Sequence, residues 1–226
     1  VAQRQGVPHR LIDLVNPDES FNAGQYRHLA LQEIERLYGE RRLPLIVGGT
    51  GLYFRALERG LSEMPRADPA LRERLAEEVR VYGKLHMHRK LAMCDARTAA
   101  RLDANDVQRV LRALEVFELS GVPISEQQGG VRGRLPWRVL KLGLVAADRS
   151  NLRLRIAERF DQMLAQGLEG ELRNLRARPG WSADLPSMRA VGYRQGWDWL
   201  DGKVSATDFR MHALHATSQL AKRQMT

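Results

Sequence analysis

The chain has 226 residues, of which 43% are hydrophobic, so it can bury the core of one good-sized domain with an insertion. Its apolar runs are far shorter than the roughly 20 residues that a membrane-spanning helix needs. A single cysteine excludes an internal disulfide and favours a reducing, cytoplasmic setting. The net charge is +9, and only five of the 36 basic residues are lysine. Because guanidinium groups bind phosphate through two parallel hydrogen bonds, this arginine excess favours a nucleic-acid partner; a GC-rich genome would produce the same bias.

The first part of the chain has the pattern of an α/β unit. Apolar residues recur at helical spacing over residues 22–42, and Asn22 is placed to cap that helix. Leu43–Val47 is a short, continuously apolar run that ends in the glycine-rich turn Gly48–Gly51, which is typical of a buried parallel strand. Ligands of open α/β sheets collect where strands end, so we expect the chemistry at this turn. A tight turn without a ligand is the commoner alternative.

The middle of the chain changes character. Asp68 and Pro69 form a cap and first-turn pair, and Asn105 or Asp106 opens a second helix that ends near Ser120. Residues 67–135 contain no convincing strand pattern, which indicates a helical insertion. A strand is predicted again over residues 138–147.

Four helices are predicted after that strand, at residues 150–166, 168–177, 190–200 and 207 to the end. The predicted organisation is therefore a core formed by residues 1–63 and 138–226, with an inserted helical domain at residues 64–137.

Several basic residues stand at positions where an anion would be bound. Arg159 lies at the apolar margin of its predicted helix beside Phe160, where either a carboxylate or a phosphate would compensate its charge. Arg109 and Arg112 share a helix face. The spacing of the histidines indicates no metal site, and Cys94 is interpreted as a packing residue.

Five motifs occur in an order that resembles the tRNA dimethylallyltransferases, along nearly the whole chain. In sequence letters they are PHRL at residues 8–11, LPLIVGGTGLY at 43–53, NDVQRVLRALE at 105–115, RAVGYRQ at 189–195 and TSQLAKRQ at 217–224. No single motif would be sufficient, but five in this order form a specific signal.

The resemblance implies an α/β fold with a P-loop NTPase-like parallel sheet core, which is nucleotide-binding, and an inserted all-helical domain. It implies transfer of a dimethylallyl group from dimethylallyl diphosphate to N6 of adenosine 37 in the anticodon stem-loop of tRNA. Mg²⁺ is the implied cofactor, and the implied protein is a monomer without a membrane partner. Thr50 is expected to meet the target adenosine, and Arg159 to hold the diphosphate. Both are therefore the expected catalytic residues.

The same resemblance implies a set of substrate-binding residues spread over five segments. They are Gly48, Gly49 and Thr50; Arg72; Gln108, Arg109, Val110, Leu111 and Arg112; Arg189, Ala190, Val191, Gly192, Tyr193 and Arg194; and Thr217, Gln219, Lys222, Arg223 and Gln224.

Two motifs of the family are not found in these 226 residues: the phosphate-binding loop that ends in Gly-Lys-Thr, and the Asp-Ser segment that supplies a general base. We expect both to precede Val1, and an aromatic segment to follow Thr226. Two other functions stay open at this point. One is a transferase that prenylates free adenine nucleotides, and the other is a tRNA-binding chain without activity of its own.

Overall fold

A computed structural model describes residues 6–62, 64–127 and 135–225. Within these ranges the regular elements are helices, joined by turns and extended segments. In chain order they are α1 (Ala23–Gly39), α2 (Gly51–Arg59), α3 (Pro69–Tyr82), α4 (Lys84–Cys94), α5 (Ala96–Ala99), α6 (Val107–Ser120), α7 (Ile124–Gln127), α8 (Arg149–Ala165), α9 (Leu168–Arg176), a 3₁₀ helix (Pro186–Arg189), α10 (Tyr193–Leu200) and α11 (Ala206–Gln224). None of these helices is both long enough and apolar enough to cross a membrane.

The predicted cap residues begin the helices, which confirms this part of the sequence analysis. The Asp68 carboxylate accepts a hydrogen bond from the Leu71 amide at 2.9 Å, and Asp106 accepts one from Arg109 at 3.3 Å. At the other end of α6, Gly121 adopts a left-handed conformation (φ 70°), which a residue with a Cβ rarely does. Local cap chemistry therefore sets these boundaries.

The predicted α/β fold with a P-loop NTPase-like parallel sheet core is wrong for the residues that the structure describes, because they contain no strand. Leu43–Val47 and residues 138–146 form neither a helix nor a strand. Their side chains lie largely in solvent: Leu43 is 91% exposed and Leu142 is 78% exposed. Apolar periodicity predicts that a segment is buried, but a sheet also requires a second strand at hydrogen-bonding distance. Neither apolar run has such a partner within the described ranges.

The chain divides into two compact units, Glu58–Pro136 and the combination of Val1–Leu57 with Trp137–Thr226. In the first of these, the helical unit, α3, α4 and α6 pack around Leu75, Leu91 and Leu114. Each of these three side chains is at most 1% exposed. Burial of several leucines of this kind contributes about 2 kcal/mol each, which stabilises the unit through its own core.

The second unit, called the split unit below, is centred on α8, α9, α10 and α11. The rings of Phe160 and Phe209 meet edge to face with centroids 5.6 Å apart, and Leu172 and Ala213 complete this core. At the surface beside the two rings, the Arg210 guanidinium donates two hydrogen bonds, of 2.6 and 2.7 Å, to Asp161. These contacts fix α8 against α11.

Gly196 tests how tightly this core is packed. A Cβ added at Gly196 would clash with Cδ1 of Leu172 and lie 3.2 Å from its Cδ2, and Leu172 is fully buried. We expect Gly196→Ala to lower the free energy of unfolding by about 1–3 kcal/mol, because an overpacked core must shift. Gly170→Ala is the matched control, since an added Cβ there meets nothing within 4 Å. Gly170→Ala should leave the free energy of unfolding in urea unchanged or raise it. An equal loss of this free energy in both variants would contradict the close packing of Gly196 against Leu172.

Candidate functional site

The glycine-rich turn passes directly into α2. The Thr50 carbonyl accepts hydrogen bonds from the amides of Tyr53 and Phe54, at 3.0 and 3.3 Å, so Thr50 stands at the N-cap position. Its side chain is exposed, and no hydrogen bond of the Thr50 hydroxyl is found among the described residues. The first amides of a helix lack partners within it. The turn therefore presents backbone donors beside a hydroxyl that is able both to donate and to accept.

The end of α11 lies against this turn. A Cβ added at Gly49 would be 2.9 Å from Cδ of Gln224 and closer still to its amide nitrogen. Only a glycine allows the Gln224 side chain to approach the backbone this closely. Two segments expected to bind substrate, Gly48–Thr50 and the last turn of α11, are thus brought together.

An aromatic stack fixes α2, and with it the turn, on α1. The rings of Tyr26 and Tyr53 are stacked at 4.6 Å with an interplanar angle of 13°, and Phe21 meets Tyr53 edge-on at 6.4 Å. Burial, with a contribution from Tyr53, raises the pKa of Tyr26. Tyr26 therefore stays neutral at physiological pH, and the stack of the two rings acts as an apolar support for Thr50.

The segment Arg189–Arg194 forms a turn between the 3₁₀ helix and α10. Gly192 has a φ of 94°, which strongly favours glycine, and its amide donates a 2.8 Å hydrogen bond to the side chain of Gln195. Arg189, Ala190 and Arg194 are exposed, while Val191 is half-buried. The turn thus holds its two arginines in solvent on a fixed backbone.

Tyr193 anchors the same turn to α9. Its hydroxyl donates a 2.5 Å hydrogen bond to Glu171. Burial and this neighbouring carboxylate raise the pKa of Tyr193 to about 12. The hydroxyl therefore remains a donor throughout the physiological range, and the side chain has a positioning role as well as any contact with substrate.

Arg159 lies on α8, which packs against this turn through the residue that follows Arg159. Phe160, the following residue, is 2% exposed, and its ring would be 4.0 Å from a Cβ added at Gly192. Arg159 itself is exposed. The sequence predicts that either a carboxylate or a phosphate compensates the charge of Arg159. No carboxylate partner of Arg159 is found in the described part of the chain.

The remaining expected residues on α11 differ in what they present to solvent. The Thr217 hydroxyl donates to the Ala213 carbonyl at 2.7 Å, within the helix. Gln219 pairs with the ring of His215 at 3.3 Å. Lys222 and Arg223 are exposed at the end of the helix. The last two turns therefore carry the accessible cations.

In the helical unit, the side chains of Gln108–Arg112 face two different sides of α6. Gln108 and Arg109 are exposed, and Arg109 pairs with the cap residue Asp106 at 3.0 Å. Val110 is 1% exposed within the core, and Leu111 packs against it. The side chains of these two apolar residues thus hold the helix, and the polar ones face outward.

A buried carboxylate joins Arg72 to Arg112. Glu115 is 1% exposed and accepts hydrogen bonds from Arg72 Nε at 2.8 Å, Arg72 Nη2 at 3.1 Å, Arg112 Nη1 at 2.6 Å and the Asp68 amide at 3.0 Å. Burial alone would raise the pKa of Glu115, but the hydrogen bonds from the two arginines and from the Asp68 amide outweigh it and lower the pKa. Arg72 and Arg112 therefore stand at the surface on one shared anchor.

Glu115 is a residue that sequence reasoning missed as part of this site. The spacing of three between Arg112 and Glu115 was an available signal of a pair on one helix face, whereas the partnership with Arg72, 43 residues away, depends on the packing of α3 against α6. Arg149, at the start of α8, was missed too, because an exposed arginine on a helix carries no motif.

The described residues bring together no group of three or more histidine, cysteine, aspartate or glutamate side chains. What these residues contribute to the site consists of cations, backbone donors and one hydroxyl.

Comparison with known proteins places the chain. The model of the IPP transferase family matches residues 1–226. A tRNA dimethylallyltransferase of Alkalilimnicola ehrlichii is 51% identical over 97% of this chain and 69% of its own length, and one of Xanthomonas axonopodis pv. citri is 49% identical over 100% and 71%. The chain thus belongs to the IPP transferase family.

Solved structures agree with this assignment. The tRNA isopentenylpyrophosphate transferase of Bacillus halodurans aligns with a TM-score of 0.65 at 35% identity, over 99% of this chain and 69% of its own. A eukaryotic dimethylallyltransferase acting on tRNA aligns with a TM-score of 0.79 at 23% identity, over 99% and 56%, and this likeness concerns the fold alone.

Glu115→Gln is expected to lower the free energy of unfolding by about 1–3 kcal/mol at neutral pH, since it removes charge-assisted hydrogen bonds from a buried group, while the exposure of Arg72 limits the loss. The folded-state pKa of Glu115 lies below its ordinary 4.5. Its stabilisation is therefore complete above about pH 4.5 and is lost as the pH falls through the lowered value. The difference between the two proteins in urea unfolding should shrink accordingly.

Glu77→Gln serves as the control for this measurement, because Glu77 is 56% exposed and its partner among the described residues is Arg80, on its own helix. It should change the free energy of unfolding by less than about 0.5 kcal/mol. A Glu115→Gln protein as stable as this control, at every pH, would show that the arginines do not depend on the buried carboxylate.

Proposed function

We propose that this chain transfers a dimethylallyl group from dimethylallyl diphosphate to N6 of adenosine 37 of tRNA. The observation that carries the proposal is the contact of the exposed Thr50 turn with the end of α11, because it joins two of the five ordered motifs in one place. The names of relatives about 50% identical to the chain, tRNA dimethylallyltransferases, support the same activity.

The chemistry defines what the residues must do. N6 of adenine forms a bond to C1 of the donor, the bond between C1 and oxygen breaks, and its electron pair leaves on diphosphate while N6 releases one proton. Negative charge therefore grows on the leaving group, and positive charge on the allylic carbon. Cations held at the diphosphate lower the energy of this transition state. Arg159 has that role in the proposal.

Thr50 would orient the acceptor. Its hydroxyl and the free amides of the following helix turn are available to hydrogen-bond the edge of an adenine. An adenine stacked within an anticodon loop has no access to such a turn, so the base must leave the stack and enter the site. At Gly48 an added Cβ would meet only the Phe54 ring, at 3.9 Å, which leaves room for the close approach of a base, whereas the space at Gly49 is taken by Gln224.

The arginines in the two units supply the electrostatic part of tRNA binding. Arg189 and Arg194 lie on the fixed turn of the split unit, and Arg72, Arg109 and Arg112 belong to the helical unit. Contacts of this kind go to phosphates and set the position of the RNA. Mg²⁺ is proposed as a further partner of the diphosphate on the resemblance alone.

Incubation of the protein with dimethylallyl diphosphate and either unmodified tRNA or AMP tests the proposal directly. We expect N6-dimethylallyladenosine in digested tRNA and no prenylated AMP, because the exposed cations fit a polyanion. Prenylated AMP without modified tRNA would favour the free-nucleotide transferase. Binding of tRNA without any product would instead leave an inactive tRNA-binding protein.

Arg159→Ala is expected to lower kcat by about 100-fold with little change of KM for tRNA, since it removes a cation that acts mainly on the departing diphosphate. The matched control is Arg173→Ala, an exposed arginine of the same unit that pairs with Glu169 at 2.8 Å. Single-turnover rates should be unchanged for the control. Equal rates for the two variants would remove Arg159 from the mechanism.

A further inference from the structure

A cleft of about 350 Å³ lies between α8 and α11. Its lining does not include Arg159, the residue of α8 that the resemblance assigns to the reaction. Its size is at the lower end of the range for sites that bind small ligands, about 300–1,000 Å³. One wall is the face of α8 that carries Arg149, Leu152, Arg153 and Ile156, spaced three and four residues apart. This spacing aligns two cations and two aliphatic side chains on one surface.

The opposite wall is the C-terminal half of α11. It contributes the cation Lys222, the polar side chains of Ser218 and Gln219, and Met225. Together with Leu152 and Ile156, Met225 makes part of the lining apolar. The cleft therefore combines a basic rim with an apolar floor, which suits a ligand that has both a phosphate and a flat, weakly polar part.

Arg149 and Arg153 have no carboxylate partner among the described residues, in contrast to several other arginines of this chain. Arg36, Arg74 and Arg210 each pair with a carboxylate. Arg149 and Arg153 have no acidic partner within residues 6–62, 64–127 and 135–225, and the adjacent Asp148 carboxylate is occupied as the cap of α8, accepting from the amides of Ser150 and Asn151.

This arrangement costs stability in the absence of a ligand. Like charges four residues apart on a helix repel by about 0.2–0.5 kcal/mol. The first turns of a helix also carry the positive end of its dipole, which disfavours cations there. A bound anion would relieve both terms at once, and phosphate is the anion that guanidinium groups fit best.

The position of the cleft indicates where that phosphate comes from. Met225 lines the cleft, and its neighbour Gln224 contacts Gly49 in the turn proposed to hold the acceptor adenine. A nucleotide in the cleft would therefore be adjacent to the acceptor along the same strand. We propose that the α8–α11 cleft binds a nucleotide flanking the acceptor adenosine, with its phosphate on Arg149 and Arg153 and its base on Leu152 and Ile156. This inference rests on the proposed function.

The test is the binding of an anticodon stem-loop RNA, measured over a range of salt concentrations, to Arg149→Ala/Arg153→Ala protein. We expect affinity to fall about tenfold and the slope of log K against log salt to decrease by about 0.7, since the two arginines hold one phosphate and each phosphate contact on a single strand contributes about 0.7. Arg173→Ala/Lys203→Ala is the control, because it removes two cations of the same unit that already pair with carboxylates. Thermal unfolding verifies that both proteins fold.

Two further binding measurements distinguish a phosphate of the RNA from a free anion in the cleft. Two abasic RNAs, one without the base before position 37 and one without the base after it, are compared, and one of them should bind the unmodified protein about tenfold more weakly, because burial of that base against Leu152 and Ile156 is lost. Inorganic diphosphate should bind the double variant and the control equally. A loss of diphosphate affinity with unchanged RNA affinity would overturn the proposal in favour of a free-anion site.

Failure of this inference is distinguishable from failure of the proposed function, because binding is measured without the prenyl donor. RNA binding by the double variant equal to that of the control, in a protein that prenylates tRNA, would overturn the cleft assignment alone. Loss of RNA affinity in a protein that forms no prenylated product would support the cleft and contradict the transfer activity.

Discussion

The contact on which the candidate site depends is the packing of α8 against α11 through Phe160 and Phe209. These two rings are buried, and the ion pair between Asp161 on α8 and Arg210 on α11 joins the same two helices at the surface. Three features of the split unit follow from this contact. It sets Phe160, the neighbour of Arg159, against the Gly192 turn, it forms the cleft, and it determines where the last turn of α11 ends against the glycine-rich turn.

The helical unit uses charge in a different way. Its arginines are held by carboxylates: Glu115 anchors Arg72 and Arg112, and Asp106 anchors Arg109. Pairing of this kind limits the movement of long side chains, so less conformational entropy is lost when they contact phosphate. The split unit instead keeps Arg149, Arg153 and Arg159 without acidic partners among its described residues. The helical unit thus carries arginines that carboxylates hold in position, and the described part of the split unit carries arginines whose charge no carboxylate compensates. Both sets of cations suit a polyanionic substrate.

The sequence predicted the helices well and the sheet wrongly, and the reason is physical. Caps such as Asp68 and Gly121 act within a few residues, so their effect is readable locally. An apolar run such as Leu43–Val47 reveals only a tendency to be buried, since the strand's partner is encoded elsewhere. For the site, motif order gave the segments, but not that Gly49 meets Gln224 or that Glu115 links two arginines, because both depend on tertiary packing.

The most direct test of the account is photo-crosslinking with tRNA that carries 8-azidoadenosine at position 37. The acceptor base is proposed to lie at Thr50, so the crosslinked tryptic peptide should be residues 43–55, which contain the glycine-rich turn. The same analogue in the acceptor arm of the tRNA should not label this peptide. Labelling of peptides from α3 or α6 alone, with residues 43–55 unmodified, would contradict the assignment of the acceptor site.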